Sequence, residues 1–278
     1  NVYLIYKDLQ RADFNRSWTG ISYGSGYEGQ GCVNDEMTNY YVEFMKKHIF
    51  AYLNPPITSK VLPMYWYLGY NVYSKGVLEV GGVILASWIV PIHENYDGLD
   101  YWCTCMFGED NPSDPYLIPT DRALLDRRRK MILAPVLEKA VKAGNIIIPE
   151  EFEVGFDHVT NLIAGLGMED DPNYYLTRGY PGSVNTYVFN SISEPANNSY
   201  PPTNEETFIG YMHLSMYYNQ ARLAEVYPAD KYPFLTEKFA FVQKYLKDKY
   251  QIDLEAIANG PEDWDLPLPP IPETPDEE

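Results

Sequence analysis

Histidine, the side chain most often used as a general base near neutral pH, is scarce in this sequence. The four histidines are His48, His93, His158 and His213. The zinc-peptidase motif H-E-x-x-H does not occur, because Asp97 stands where the second histidine after His93 and Glu94 would belong. A zinc-binding helix needs two imidazoles one turn apart. The sequence therefore predicts no helix-borne zinc site, and His93 is interpreted as a polar residue at a strand end.

Three cysteines and one glycine motif are further candidates for chemistry. Cys103 and Cys105 could chelate a soft metal, but a structural zinc site needs four ligands and no second pair follows. Cys32 precedes a predicted helix, a position that lowers a thiol pKa, although a buried structural thiol is favoured. Residues 24–29 read G-S-G-Y-E-G, but only a weak strand pattern precedes this apparent dinucleotide motif. We interpret the thiols as structural and the glycine motif as a loop.

Two adjacent glutamates, Glu205 and Glu206, open a predicted helix. Their charge suits the positive end of the helix dipole, a stabilisation of about 0.3–1 kcal/mol. The alternative interpretation is a metal ligand, for which His213 is an imidazole on the same helix. Seven residues span about 10.5 Å along a helix axis, which is too far for one ion to be shared without further ligands. Helix capping is therefore the favoured interpretation.

Aromatic residues make up 15% of the chain, and 26 of them are tyrosines. Rings in predicted strands are typical of core packing, whereas rings on loops are more often available to a ligand. The ligand-binding candidates on predicted loops are Trp102, Tyr174, Tyr175 and Tyr180. They could stack against a sugar ring or contact an apolar group of a peptide.

The charge balance and the hydropathy exclude two classes of protein. Lys+Arg total 21 and Asp+Glu total 39, a formal net charge of −18, which repels nucleic-acid phosphates and anionic membrane surfaces. The longest apolar run, residues 83–92, contains a proline and is about half of the roughly 20 residues that a membrane span requires. The sequence thus predicts no nucleic-acid partner and no transmembrane helix.

The order of the predicted elements indicates an α+β fold with a mixed sheet in the N-terminal half and a helical C-terminal half. The predicted strands are residues 2–6, 61–73 and 77–90. The predicted helices are residues 35–53, 121–143, 156–166, 205–226 and 237–249. Residues 74–76 separate the two long strands, which are interpreted as a hairpin or as adjacent strands in the sheet. Gly81-Gly82 is interpreted as a bulge or a close backbone approach, and residues 95–119 as a turn-rich connection. Residues 1–259 are predicted to form one domain and residues 260–278 an acidic, proline-rich tail.

Several short motifs, taken in their order, resemble a bacterial protein family. These motifs are the strand at residues 2–7, the sheet segments 62–70 and 81–85, Pro149-Glu150-Glu151-Phe152, Asn204-Glu205-Glu206-Thr207-Phe208 and Ile252-Asp253-Leu254. Together they resemble the predicted zinc metallopeptidase lipoproteins that accompany SusC/SusD-type nutrient-uptake systems in Bacteroidetes. The resemblance extends over about residues 1–258 and is sharpest near its end.

The resemblance implies a zincin-like domain with H-E-x-x-H on the helix before the Pro-x-x-Phe motif and an acidic third zinc ligand in the Asn-Glu motif. In this chain that helix is residues 121–143, which contain no histidine. Glu138 with Glu205 or Glu206 would form an all-oxygen site that suits catalytic zinc poorly. We therefore expect a degenerate zincin-like domain without a metal or other cofactor, in which Glu205 and Glu206 are remnants of the ligand motif.

The resemblance also implies a biological setting. We expect a non-catalytic, metallopeptidase-like lipoprotein, anchored to the outer membrane at the cell surface or on the periplasmic side, that serves nutrient uptake. Its ligand would be a glycan, a peptide or a partner protein, and SusC/SusD-like uptake components are candidate partners. A lipid anchor would require a cysteine upstream of Asn1. The alternatives are a hydrolase with a non-zinc mechanism, built from Cys32, His158 or scattered carboxylates, a structural or interaction protein, and an unforeseen metal site.

Overall fold

The computed structural model describes residues 2–6, 9, 27–30, 34–91, 94–95, 100–107 and 118–271 of the chain. The fold divides into two compact units. Unit 1 comprises Asn1–Lys47, Leu62–Leu125 and Asp265–Glu278, and unit 2 comprises His48–Val61 and Asp126–Trp264. Helices and small sheets both occur, so the fold is mixed α+β, as the sequence predicts. The assignment of residues 1–259 to one domain, followed by a tail, stays a prediction.

The elements have the following bounds within the described ranges. The strands are β1 Tyr3–Ile5, β2 Tyr27–Gln30, β3 Tyr65–Val80, β4 Val83–Pro91, β5 Glu94–Asn95, β6 Tyr101–Phe107, β7 Ser183–Val184 and β8 Ile192–Ser193. The helices are α1 Asp35–Phe44, α2 Pro55–Thr58, α3 Arg122–Lys142, α4 Glu150–Glu153, α5 Asn204–Tyr217, α6 Gln220–Val226, α7 Pro233–Tyr250 and α8 Leu254–Asn259. A π-helical turn, Met45–Ile49, and a 3-10 turn, Phe50–Tyr52, follow α1. None of the helices in this part of the chain combines the length and the apolar character needed to cross a membrane.

The sheet of unit 1 is organised around β3. The first half of β3 pairs in parallel with β1 on one side and with β6 on the other, so that Tyr65 is opposite both Tyr3 and Tyr101. The second half of β3 pairs with β2 and β4, and both of these pairings are antiparallel. Strand β5 pairs with the outer edge of β6. Parallel and antiparallel neighbours on one strand make this a mixed sheet.

The hairpin of β3 and β4 turns at Gly81 and Gly82, whose φ angles are +61° and +85°. Positive φ at both central residues of a two-residue hairpin is the conformation that glycine adopts without steric cost. The pair is thus a turn and not a bulge. Residues 74–76 do not separate two strands, because they pair with β4 inside the continuous strand β3. Gly76 lies inside β3 for a different reason, because a Cβ there would lie 2.2 Å from the Trp88 indole that crosses the strand.

Aromatic pairs form the core around β3 and β6. Trp66 and Trp102 contact edge to face with ring centroids 5.3 Å apart, and Tyr67 stacks on Tyr101 at 4.8 Å. The indole N–H of Trp66 donates to Thr104 Oγ1 at 2.8 Å. Trp102 is therefore a buried strand residue, 5% exposed, and its predicted position on a loop is wrong. Residues 101–107 form a strand in spite of the turn signals around them, because they pair with β3, a strand distant in sequence.

Residues 265–269, near the end of the chain, belong to unit 1 and contact other residues of that unit. Arg122 donates to the carbonyl oxygens of Leu266 at 2.7 Å and of Pro267 at 3.2 Å. The Tyr40 hydroxyl donates to the same Pro267 carbonyl at 2.9 Å, and Pro269 is buried. These contacts give residues 265–269 defined partners in unit 1.

Helix α5 is the central helix of unit 2. It is buried on all sides, as its nine buried residues between Thr207 and Met216 show, and such a helix is typical of a core. Phe152 of α4 contacts the rings of Phe208 and Tyr211 edge to face at 5.1 and 5.8 Å. The core of unit 2 therefore fixes α5, which carries several residues of the site described below.

Local side-chain hydrogen bonds explain where the helix predictions for unit 2 are wrong. Residues 156–166 are not helical, because the Asp157 carboxylate accepts from the N–H groups of Val159 at 2.8 Å and Thr160 at 3.1 Å and favours a turn. Residues 205–226 form two helices, α5 and α6, and Asn219 caps the second by accepting from the N–H of Arg222 at 2.7 Å.

Candidate functional site

A pocket with a volume of about 650 Å³ lies in unit 2, among α3, α5 and the irregular segment that includes β7. This volume is in the range of small-molecule sites, about 300–1,000 Å³. The residues that α5 contributes to its wall are Glu206, Thr207, Ile209, Gly210 and His213. Those that α3 contributes are Glu138 and Lys142. Aromatic and proline residues around Tyr180 and Tyr200 complete the wall.

The polar part of the pocket wall is built around Glu138. Lys142, one turn further along α3, lies with its Nζ 2.6 Å from Glu138 Oε1. This hydrogen bond is the main cause of the raised pKa of Lys142. The other carboxylate oxygen, Oε2, lies 3.7 Å from Nε2 of His213. Glu138 thus binds a lysine with one oxygen and faces an imidazole with the other.

His213 is buried, with 8% of its surface exposed. Burial lowers the pKa of His213 to about 4, against the opposing effect of the Glu138 charge. The imidazole is therefore neutral at pH 7, and its 3.7 Å contact with Glu138 is not an ion pair. The ring hydrogen-bonds to the backbone of Ala134, while Nε2 has no hydrogen-bond partner in the described part of the chain. We assign the ring proton to Nδ1, which then donates to the Ala134 carbonyl, and in this tautomer Nε2 carries the lone pair.

Glu206 lines the pocket while it caps α5. Its Oε2 accepts from the backbone N–H of Thr203 at 2.8 Å and from the Thr203 hydroxyl at 2.9 Å, and Thr203 Oγ1 accepts from the Glu206 N–H at 3.3 Å. This capping box lowers the pKa of Glu206, chiefly through the Thr203 N–H. The favoured capping interpretation is thus observed for Glu206. The adjacent Glu205 is not part of the pocket wall, and the origin of the pair as a metal-ligand remnant stays a prediction.

Two tyrosines contribute to the pocket in different ways. Tyr180 is 1% exposed, and its hydroxyl donates to the Asp157 carbonyl at 2.7 Å, so it is a fixed part of the wall. Burial raises the pKa of Tyr180 to about 12. Tyr200 is 82% exposed and presents its ring to solvent at the same pocket. Tyr200 is absent from the sequence-based candidates, although its position before Pro201-Pro202 is a loop signal.

The other predicted ligand-binding rings lie away from the pocket. Tyr174 and Tyr175 are each 4% exposed and contact each other with ring centroids 4.8 Å apart. Trp102 lies in the sheet of unit 1. Of the four candidates, the structure therefore brings Tyr180 alone to the pocket wall. A ligand-binding role for the other three stays a prediction.

The pocket residues do not fit the zinc site that the family resemblance implies. In the ranges that the structure describes, no three His, Cys, Asp or Glu side chains are grouped so that they could hold a metal ion. Glu138 and Glu206 each use one oxygen in a bond to Lys142 or Thr203. His213 supplies a single imidazole to the pocket, whereas a catalytic zinc site takes three protein ligands.

The cysteines and the other histidines of the described part of the chain are not among the residues of the pocket wall. Cys103 and Cys105 are buried in β6, and burial, followed by the charge of Cys105, raises the pKa of Cys103. His158 is held by a 2.8 Å hydrogen bond between its Nδ1 and the Pro202 carbonyl. Cys32 and His93 lie outside the described residues.

Among the described residues, the serine and threonine hydroxyls of the pocket wall are not hydrogen-bonded to the pocket histidine. The serine and threonine hydroxyls of the pocket wall are those of Ser183, Thr186 and Thr207. Thr207 Oγ1 donates to the Thr203 carbonyl at 2.8 Å. None of the hydrogen bonds within the described ranges joins one of these hydroxyls to His213, and the alternative of a non-zinc hydrolase stays a prediction.

The contact between Glu138 and His213 is the feature that sequence reasoning missed. The two residues lie on different helices, and no spacing rule connects them. The sequence contained one related signal, the position of His213 seven residues after Glu206 on one helix. That spacing places both residues on the same helix face.

Comparison with known proteins gives one distant likeness. No protein-family profile matches the chain, and no curated protein is similar to it in sequence. The crystal structure of a putative zinc-binding metallo-peptidase from Bacteroides caccae matches with a TM-score of 0.37 and 14% sequence identity, over 79% of this chain and 69% of that chain. This is a weak structural likeness to a metallopeptidase-like protein. It establishes neither a zincin-like fold nor an activity for this chain.

Proposed function

We propose that this chain is a non-catalytic binding protein and that the pocket of unit 2 is its ligand site. The observation that carries this proposal is His213 Nε2, a buried polar atom that has no hydrogen-bond partner among the described residues and lies in the wall of a pocket of about 650 Å³. A buried polar atom left unpaired costs about 1–3 kcal/mol. Such a cost is commonly tolerated where a ligand completes the hydrogen bonding.

The chemistry of the wall supports a ligand with both apolar and polar groups. Tyr200 offers an exposed ring, and Pro201 and Pro202 extend this apolar surface. Glu138 and His213 offer hydrogen-bond acceptors in the same pocket. A peptide or a glycan presents this combination of groups.

The biological setting belongs to the same proposal. The ordered sequence motifs support a zincin-like, metal-free lipoprotein of a Bacteroidetes nutrient-uptake system, anchored at the outer membrane with SusC/SusD-like partners. An adjacent gene pair for such a transporter, together with recovery of the native protein in the outer-membrane fraction, is the expected result. A gene without such neighbours and a protein absent from that fraction would contradict this setting.

Substitution of Tyr200 tests the location of the binding site. The chain is screened against glycan and peptide arrays, and the affinity of each hit is measured by calorimetry for the wild type and for Tyr200→Ala. We expect a loss of about three- to tenfold in affinity, because one aromatic contact contributes about 0.5–1.5 kcal/mol. The fold should be unchanged, since Tyr200 is 82% exposed.

The matched control is Tyr187→Ala. Tyr187 is 48% exposed and is not part of the pocket wall, so its substitution should leave the affinity within about twofold of the wild type. Equal affinities of the wild type and Tyr200→Ala would place the binding surface elsewhere. An absence of hits in both arrays would contradict the binding function itself.

A further inference from the structure

The pocket contains two facing hydrogen-bond acceptors with no donor between them. Nε2 of neutral His213 and Oε2 of Glu138 lie 3.7 Å apart, which is too long for a hydrogen bond. Nδ1 of the imidazole is engaged with Ala134, so Nε2 has no proton to offer. Two acceptors at this distance are stabilised by a donor that reaches both.

The geometry limits what this donor can be. If a donor atom lies about 2.8 Å from both acceptors, the angle between the two acceptors at the donor atom is roughly 80°. Two N–H bonds of one ammonium group can approach this angle. A hydroxyl group has a single proton and can donate to one of the two acceptors at a time. A glycan hydroxyl would therefore leave either His213 or Glu138 unpaired.

The charge of the pocket points in the same direction. Glu138 and Glu206 contribute two carboxylates and Lys142 one ammonium group, while burial keeps His213 neutral. The pocket wall therefore carries one net negative charge, within a chain of net charge −18. A water molecule could also donate to both acceptors, but only a cation would in addition balance the negative charge of the wall.

We propose that the ligand enters the pocket with a protonated primary amine, which donates to His213 Nε2 and Glu138 Oε2. This inference rests on the proposed binding function and specifies the chemical class of the ligand. A lysine side chain or the amino terminus of a peptide carries this group. Lys142 remains bound to Glu138 Oε1, so the incoming amine uses the oxygen that Lys142 leaves free.

Nuclear magnetic resonance of the full chain with ¹⁵N-labelled histidine tests the ligand class. The His213 signals are assigned by their loss in His213→Gln. The probes are Nα-acetyl-lysine amide, Nα-acetyl-norleucine amide, which has a similar stem without the ammonium, and glucose. We expect the lysine probe alone to shift the Nε2 resonance of His213. We also expect Glu138→Gln to weaken its binding about tenfold or more, because hydrogen bonds to charged groups are strong.

The matched control is Glu205→Gln. It removes a carboxylate from the first turn of α5, next to Glu206 but outside the pocket wall, and it should change the affinity for the lysine probe by less than about twofold. A His213 shift with norleucine or glucose, but not with lysine, would overturn the ammonium proposal and leave the binding pocket intact. The ammonium proposal would likewise be overturned, and the binding pocket left intact, if an array hit binds in a Tyr200-dependent manner while the lysine probe does not shift the His213 signal. If neither the arrays nor these probes detect binding, the proposed function itself is wrong.

Discussion

Lys238 of α7 holds the chain turn that follows α4, and its substitution by methionine tests how unit 2 is stabilised. The side chain is buried, 3% exposed. Its ammonium donates to the carbonyl oxygens of Phe152 and Val154, both at 2.8 Å, and of Glu151 at 3.3 Å. The rings within about 6 Å of the ammonium are those of Phe152, Phe156, Phe234 and Phe241. Burial lowers the pKa of Lys238, as expected for a charge removed from water.

The expected loss of stability follows from these contacts. Methionine keeps most of the apolar stem and removes the charge and the three donors. The carbonyl of the fully buried Phe152 is left unpaired, at about 1–3 kcal/mol, and the loss of the cation–aromatic contacts adds about 1 kcal/mol. Val154 is exposed, so water replaces the ammonium there. Relief of the desolvation of the charge opposes these losses, and we expect a net destabilisation of about 2–3 kcal/mol.

Urea unfolding of Lys238→Met, followed by far-UV circular dichroism, measures this loss. Hydrogen exchange of the Phe152 and Phe156 amides adds a local readout, because these amides donate to Pro149 and Glu153 in the same turn. Lys244→Met on the same helix is the matched control. Lys244 is 77% exposed and pairs with Asp248, so its substitution should change stability by less than about 0.5 kcal/mol. If Lys238→Met is as stable as Lys244→Met and its amides exchange no faster, the ammonium does not hold the turn.

Two further predictions concern the α5 cap and the β3–β4 turn. Thr203→Ala should destabilise the fold by about 1–2 kcal/mol in urea unfolding at pH 7, because both bonds between the Thr203 hydroxyl and Glu206 are lost, while the backbone N–H of residue 203 keeps its bond to the carboxylate. Since the folded pKa of Glu206 lies below 4.5, this difference should be fully present above pH 4.5 and should shrink as the pH falls through the folded pKa. Gly82→Val should destabilise the hairpin by about 1–2 kcal/mol, measured by thermal unfolding, because a β-branched residue disfavours a φ of +85°.

Each of these predictions has its own control. A Thr203→Ala variant whose stability difference from the wild type is the same at pH 7 and at pH 3 would show that the bond from the Thr203 hydroxyl to the Glu206 carboxylate does not stabilise the cap. For the hairpin, Val83→Thr changes a neighbouring residue that is 60% exposed and should stay within about 0.5 kcal/mol of the wild type. Equal stability of Gly82→Val and Val83→Thr would refute the role of positive φ in this turn.

Local sequence signals predicted the ends of several elements. Asn34 caps α1 by accepting from the Met37 N–H at 2.8 Å, and Thr203 caps α5 in the same manner. These bonds span three residues, so their chemistry is visible in the sequence alone. The same kind of local signal also misled, since Gly76 resembled a turn residue although it makes room for Trp88 inside β3.

The candidate site was much less predictable than these element ends. Tyr180 was identified from its loop position, but Tyr174 and Tyr175 are buried against each other. The sequence shows which rings lie outside regular elements and does not show which of them the core covers. The depressed pKa of His213 could not be predicted either, because burial by distant segments is its main cause.

By itself, the sequence determined the mixed α+β class, the strong negative charge and the lack of an H-E-x-x-H motif, because each depends on composition or on residues near one another in the chain. Only the tertiary structure decided that Trp102 is a buried strand residue and that His213 faces Glu138 with an unpaired nitrogen. Both results depend on contacts between segments far apart in sequence. Such contacts are selected by the packing of the whole core, for which no short pattern of residues is sufficient.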